Sequence, residues 1–171
     1  MKENQKIINH PSRNIQTETY IEGDTFVTKH FYDGKDAYVK EFIYLTDGIK
    51  KIKYFNINGV QTKLDHFVED KRQGEEIKYF VSKAGAMKSS KIYDNGKLHG
   101  ANITYNEAGQ IIKHEVFAGG KCVLKYFRKD DETNDISNVV ILDKANVENL
   151  PKDEYEKLQT LMANNPESFV E

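Results

Sequence analysis

Histidine, cysteine and acidic side chains are the groups in this chain that would bind a metal ion or transfer a proton. None of the five histidines has a second histidine or a cysteine at a metal-ligand spacing, and Cys122 is the single cysteine. Adjacent carboxylates fall in predicted turns or in the acidic tail, where solvated surface is the expected setting. The histidines are His10, His30, His66, His99 and His114, and the carboxylate groups are Glu69-Asp70, Glu75-Glu76 and Asp130-Asp131-Glu132. The sequence therefore predicts no catalytic residue, no metal site and no cofactor, and the protein is predicted not to be an enzyme.

Composition favours one thin domain with much polar surface. The chain has 171 residues, of which 30% are charged and 38% hydrophobic, with ten Tyr, nine Phe and no Trp. Residues 1–127 hold 20 basic against 16 acidic side chains, and residues 128–171 hold 5 against 11. The interleaved charges of the body do not form the concentrated basic face that nucleic-acid binding requires. The Ile7-Ile8 pair is too short for a signal peptide or a membrane span, so we expect a cytoplasmic protein without membrane insertion.

A repeated spacing of aromatic residues indicates the fold. From Tyr20 to Phe117 an aromatic residue recurs every 11 to 14 residues, and turn dipeptides such as Asn95-Gly96 lie between them. A strand of about eight residues and a turn of about four give this period. In Ile77-Lys78-Tyr79 and Ile103-Thr104-Tyr105 the alternation places the apolar residue and the Tyr on one face. The pattern predicts a mainly β protein, an antiparallel meander of repeated hairpins.

Residues 93–100, Tyr-Asp-Asn-Gly-Lys-Leu-His-Gly, followed by Tyr105 and Gly109, resemble the MORN-variant repeat. The resemblance covers roughly residues 19–127 and is strongest from 93 to 120. It departs at Asp70, which stands where the repeat has its first Gly, and after Gly48, where no second Gly follows. The resemblance implies one elongated MORN-like sheet. It also implies a relation to the bacterial antitoxin and immunity proteins labelled YwqK-like.

Segments outside the repeat complete the predicted organisation. Residues 1–17 are expected to form a flexible arm, 18–128 the MORN-like hairpin repeat domain, 129–136 an acidic linker, and 137–171 a strand and a helix on the sheet. Val139-Val140-Ile141-Leu142 predicts a last strand, with an extended docking segment as the alternative. Pro151 and the acidic residues after it are typical of a helix start.

The predicted C-terminal helix carries an apolar stripe. Tyr155, Leu158, Leu161 and Met162 recur at helical spacing. We expect this stripe to cover one face of the sheet. A partner-binding helix is the alternative.

These features predict a protein that binds another protein. A stiff sheet face holds its side chains at low entropic cost, which favours recognition. We expect an antitoxin or immunity protein that occludes the active site of a cognate toxin or effector, as a monomer or a heterodimer with it, without nucleic acid. If the toxin's cleft is basic, the acidic tail would enter it as a phosphate mimic. The alternative is a MORN-type scaffold module for protein or membrane-surface contacts. The candidate contact residues are Lys78, Tyr79, Lys91, Tyr93, Lys113, Glu115, Asp130, Asp131, Glu132 and Asp135.

Overall fold

The chain folds into one open, mainly antiparallel sheet with a C-terminal helix, as the sequence predicts. The computed structural model describes residues 2–12, 14–33, 39–128, 136–164 and 169–170. Within them the strands follow one another across the sheet in sequence order, with the short β7 paired to β6 alone, and β14 is parallel to β13. The strands are β1 Glu3–Asn9, β2 Ile15–Glu22, β3 Thr25–Phe31, β4 Val39–Thr46, β5 Ile49–Phe55, β6 Gln61–Val68, β7 Lys71–Arg72, β8 Gly74–Tyr79, β9 Met87–Asp94, β10 Lys97–Tyr105, β11 Ile111–Ala118, β12 Lys121–Arg128, β13 Ile136–Ile141 and β14 Phe169–Val170. A 3₁₀ helix (Lys144–Asn149) and helix α1 (Lys152–Asn164) lie between β13 and β14.

Two-residue turns connect several of the hairpins. At Asn95 and Gly96 both φ angles are positive, 49° and 80°, which is the geometry that Asn-Gly favours. The turn between β6 and β7 has the same hand, with φ of 49° at Glu69 and 60° at Asp70. The turn thus keeps its shape although Asp70 stands where the repeat has glycine. It is more strained, because a residue with a Cβ is disfavoured at positive φ.

At β11 and β12 one face of the sheet presents apolar and aromatic side chains, and the other presents charged side chains. On one side, which we call the helix face, Val116, Leu124 and Tyr126 alternate toward α1. The other side, the polar face, carries Glu115 and Lys125 at the same strands. No second layer of helices or strands covers the polar face in the described part of the chain.

An apolar core lies at the C-terminal end, between α1 and strands β11 to β13. Leu158 of α1 is fully buried, and Tyr155 and Leu161 pack against the same cluster. Met162, which the stripe also included, is 40% exposed. The expected packing of the helix on the sheet is therefore present. The buried members of the cluster are Val116, Ala118, Val123, Leu124, Tyr126, Val139, Leu150 and Leu158.

The structure differs from the sequence prediction at the N-terminus. Strand β1 occupies part of the segment expected to be an arm, and all of its residues are exposed. The strand pairs with β2 through its backbone, and Gln5, together with Lys2 just before the strand, donates to the carboxylate of Glu18 at 2.8 Å. A strand held by polar side chains leaves no hydrophobic alternation to detect.

At the C-terminal side of the repeat, β13 begins at Ile136 and includes most of the strand predicted at residues 139–142. Residues 129–135, which make up most of the predicted acidic linker, lie outside the described residues. The 3₁₀ helix and β14 had no counterpart in the prediction.

Candidate binding face of the sheet

Two rows of polar side chains run across the polar face, perpendicular to the strands. The pairing of the strands brings them into line, one residue from each strand, because alternate residues share a face. The first row is Glu76, Lys91, Asn102, Glu115 and Lys125. The second row is Lys78, Ser89, Thr104 and Lys113.

A buried ion cluster lies at one end of these rows. Lys63 Nζ is 2.7 Å from Asp65 Oδ2 and 3.2 Å from Glu76 Oε2. Arg72 approaches the same two carboxylates, at 3.5 Å from Glu76 and 3.9 Å from Asp65. Asp65 is 1% exposed and Glu76 4%. Burial lowers the pKa of Lys63, but the hydrogen bond that it donates to Asp65 and the charges of both carboxylates outweigh this effect, so the pKa is raised.

A second cluster surrounds Glu115, which is 7% exposed. Its carboxylate is 3.0 Å from Lys113 Nζ and 3.8 Å from Lys125 Nζ, and it accepts a hydrogen bond from Asn102 Nδ2 at 3.3 Å. Each buried carboxylate of this face is thus in contact with two cationic side chains.

The carboxylates of the polar face are buried more deeply than its lysines, so its outer surface is cationic. The carboxylates lie beneath, whereas Lys78 and Lys113 are exposed and Lys91 and Lys125 are half-buried. Within the described residues, neither Lys78 nor Lys91 forms an ion pair with a carboxylate. A molecule that approaches this face therefore meets ammonium groups first.

A cavity of about 410 Å³ lies at β11 and β12, and Lys113, Glu115, Lys125 and Phe127 of its lining alternate onto the polar face. Lys113, Glu115 and Lys125 line it together with apolar side chains. Of these, Ile112 is 61% exposed and Phe127 is 50% exposed. Large apolar side chains beside a cavity of ligand size are typical of a contact surface. The lining residues are Ile111, Ile112, Lys113, His114, Glu115, Lys125, Tyr126 and Phe127.

The structure brings five of the predicted contact residues onto one face. Lys78, Lys91, Tyr93, Lys113 and Glu115 all lie on the polar face, by the register of β8 to β11.

Tyr79 lies on the opposite face, since it alternates with Lys78. Burial raises its pKa, and the nearby charge of Glu75 raises it further. Asp130, Asp131, Glu132 and Asp135 lie outside the described residues.

Sequence reasoning missed Asp65, Lys63 and Arg72 as members of the same face. The i, i+2 spacing of Lys63 and Asp65 was a usable signal, because it places both side chains on one side of a strand. The rows themselves depend on a bulge between Leu98 and Asn102, which shifts the pairing of β9 with β10. A bulge of this kind leaves no mark in the hydrophobic pattern.

Two observations concern metal binding and the reactivity of Cys122 in the described part of the chain. Among the described residues, no group of three or more His, Cys, Asp or Glu side chains is placed to hold a metal ion. Burial raises the pKa of the half-buried Cys122 thiol, which disfavours the reactive thiolate. None of the helices in the described ranges is both long and apolar enough to span a membrane.

Comparison with known proteins gives no family. No family model and no curated protein matches the chain. Among solved structures, TarM is similar at a TM-score of 0.43 and 17% identity, over 63% of this chain and 20% of that chain. A TarM mutant from S. aureus, in complex with fondaparinux, alpha-GlcNAc-glycerol and UDP, matches at a TM-score of 0.40 and 16% identity, over 70% and 21%. A GtfA/B complex matches at 0.27 and 13%, over 76% and 20%. The chain thus spans about a fifth of the length of these proteins, and the scores assign neither family nor function.

Proposed function

We propose that this protein is an antitoxin or immunity protein, which binds a cognate protein toxin or effector on the polar face and so occludes the toxin's active site. The observation that supports this most directly is the arrangement at β11 and β12. There, exposed Ile112 and Phe127 adjoin a cavity of about 410 Å³ that Lys113 and Lys125 also line. An apolar centre with a charged rim is the usual anatomy of a protein–protein interface.

The sheet also suits inhibition by occlusion. Part of its polar face is held by ion pairs, such as that of Lys113 with Glu115 at 3.0 Å, so these side chains lose less conformational freedom when a partner binds. Occlusion requires no chemical step in the inhibitor.

The acidic tail is a second proposed contact, with the opposite charge. Asp130, Asp131, Glu132 and Asp135 would enter a basic toxin cleft as a phosphate mimic. Deleting the whole C-terminal segment is a poor test, because β13 and α1 complete the apolar core. A variant in which these four residues become Asn or Gln removes the charge and keeps the core intact.

The test of the proposed function uses co-expression with the product of the adjacent reading frame. We expect the two proteins to co-purify and the protein to rescue growth from the toxicity of that product. Rescue by the tail-neutralised variant at the wild-type level would exclude the phosphate-mimic contact and leave the polar face. If the neighbouring product neither binds nor is neutralised, the antitoxin function is wrong.

A MORN-type scaffold is the second candidate, and the observation that favours it is the open edge at β1. Ile7 and Ile8 on this edge strand are 49% and 46% exposed. Edge strands of this kind pair with other chains unless charge prevents it. Light scattering over a concentration series and sedimentation with liposomes test the scaffold, because polymers or lipid binding by the full chain would favour it over the antitoxin.

A further inference from the structure

We propose that the polar face binds an extended acidic segment of a partner protein, which crosses strands β8 to β12 and places an apolar side chain in the cavity beside Phe127. This inference rests on the proposed function and names the chemistry of the partner. Three observations support it: the spacing of four lysines on the polar face, the burial of the carboxylates between them, and the position of the cavity. The four lysines are Lys78, Lys91, Lys113 and Lys125.

The spacing of the lysines matches an extended chain. Lys78 and Lys113 stand in one row, three strand steps apart, and Lys91 and Lys125 stand three steps apart in the other. Strands lie about 4.8 Å apart, so each pair spans about 14 Å. In an extended peptide, side chains on one face recur every ~7 Å, and residues i and i+4 are therefore about 14 Å apart. Carboxylates at i and i+4 would reach both lysines of a row.

Uncharged polar side chains fill the space between the lysines of the second row. Ser89 and Thr104 stand between Lys78 and Lys113. A segment that crosses this row meets no carboxylate between its two cationic ends. In the first row Glu115 is buried and bridged by Lys113 and Lys125, so its charge is compensated within the sheet.

The cavity provides a place for an apolar side chain of the proposed peptide. It opens beside Lys113 and Lys125, at the end of both rows, and Ile112 and Phe127 expose apolar surface there. A cavity of about 410 Å³ lies within the size range of ligand pockets. A segment with carboxylates at one end and a Phe or Leu side chain at the other fits both features at once.

Two aromatic rings of this face are already in contact with cations, which favours a peptide over a single-stranded nucleic acid as the ligand. Non-specific single-strand binding depends on open aromatic faces on which bases stack. Here Lys63 Nζ lies 5.5 Å from the ring centroid of Tyr54, and the Arg72 guanidinium lies 5.3 Å from that of Tyr93. Both rings already have a cation against one face, and the carboxylates beneath oppose a dense row of phosphates.

The test measures binding of synthetic probes to the full chain by fluorescence polarisation at low ionic strength. The acidic probe carries Glu at i and i+4 and Phe at i+6. A second probe has Lys in place of both Glu, a third has Ala in place of Phe, and a fourth is an oligothymidylate. The protein variant Lys91→Glu/Lys113→Glu reverses two charges of the polar face. Its matched control, Lys51→Glu/Lys152→Glu, makes the same change at two exposed lysines away from the polar face, one on the helix face of β5 and one in α1.

We expect the acidic probe to bind the wild type and the control alike, and to lose roughly tenfold or more in affinity for the polar-face variant, since each exposed charge pair contributes up to about 1 kcal/mol. Replacing Phe should weaken binding, and added salt should weaken it further. Circular dichroism and urea unfolding establish that the variant is folded, and Lys91→Gln/Lys113→Gln provides a milder change at the same positions.

Three results would overturn the inference: no binding of the acidic probe, equal binding of the basic probe, or equal loss in the control variant. Tighter binding of the oligothymidylate, with the same dependence on Lys91 and Lys113, would also overturn it, in favour of nucleic acid. If the co-expressed toxin binds the wild type and the polar-face variant equally, the inference fails and the proposed function stands. If the acidic probe binds as expected and the toxin does not, the proposed function alone fails.

Discussion

The two ends of this sheet are stabilised by different means. At the C-terminal end, α1 and strands β11 to β13 form two layers around fully buried Leu124, Val139 and Leu158. At the N-terminal end, β1 to β5 form a single layer, where the buried apolar side chains of the described residues are Tyr20 and Val27.

Lysine and aromatic side chains take the place of a second layer at the N-terminal end. Lys2 Nζ lies 4.2 Å from the ring centroid of Tyr20, and Lys29 Nζ lies 4.8 Å from that of Phe42. The rings of Phe42 and Tyr44 are 4.3 Å apart. Long basic side chains cover apolar surface with their methylene groups while the charge stays near water. Such contacts are individually weak, so we expect the N-terminal end to open at lower free energy than the C-terminal end.

The largest effect is expected from Leu158→Ala, which removes a fully buried side chain from the C-terminal core. Loss of such a group costs about 3 kcal/mol in the free energy of unfolding. Urea unfolding gives the total, and amide hydrogen exchange shows where protection is lost. Met162→Ala, on the exposed side of the same helix, is the control and should change stability little. If β2 to β4 lose protection as much as β11 to β13 do, the two ends are one cooperative unit and the contrast fails.

A smaller effect is expected from Asp65→Asn in the buried ion cluster. The change leaves Lys63 with Glu76 as its remaining carboxylate, and we expect a loss of about 2 kcal/mol in the free energy of unfolding because a partly buried ammonium loses one hydrogen-bond acceptor. Asp70→Asn is the matched control, since Asp70 is exposed and pairs with Lys50 at the surface. Thermal unfolding of both variants should separate them clearly. Equal stability of the two would show that burial of the cluster has no energetic consequence.

The smallest and most specific effect is the response of the two ends to acid. Burial raises the pKa of Glu18, but the hydrogen bond from Lys2 and the charges of Lys2 and Lys29 outweigh it and hold the pKa below its ordinary value of 4.5. Burial raises the pKa of Glu154, in α1, above the same value. Stability from Glu18 is therefore present above pH 4.5 and lost as the pH falls through its folded pKa. Burial destabilises the ionised form of Glu154 in the folded state. The C-terminal end of the sheet therefore becomes more stable as the pH falls toward 4.5 and Glu154 is protonated.

Protection factors from hydrogen exchange at pH 7, 4.5 and 3 test this directly. From pH 7 to 4.5 the C-terminal end should become more stable while the N-terminal end stays constant. Below pH 4.5 the N-terminal end should lose protection. Glu154→Gln should abolish the first change and Glu18→Gln the second. If both ends lost protection over the same pH range, the opposite pKa shifts of Glu18 and Glu154 would be contradicted.

The sequence predicts the strands well where the signal is local. Turns such as Asn95-Gly96 determine the hairpins, and the stripe of α1 indicates the face that covers the sheet. Strand β1 could not be predicted in this way, because it is exposed on both faces and its side-chain contacts with β2, from Lys2 and Gln5 to Glu18, are polar.

The candidate site was predictable only in part. The sequence predicts Lys91, Tyr93 and Lys113 as contact residues, and the structure places them together on one face. The depth of the carboxylates beneath the lysines depends on register across several strands, and bulges shift that register without a trace in composition. Asp65 looks like any acidic residue in the sequence, yet it is 1% exposed.

The sequential order of the strands has a consequence for how the chain folds. Because almost every strand pairs with its neighbours in sequence, most pairings close only a short loop, which favours fast folding. Folding free energy in an array of this kind is a sum of terms between adjacent units. We therefore expect the core at the C-terminal end to form first during folding. The rest of the sheet would then form from this end, one hairpin at a time.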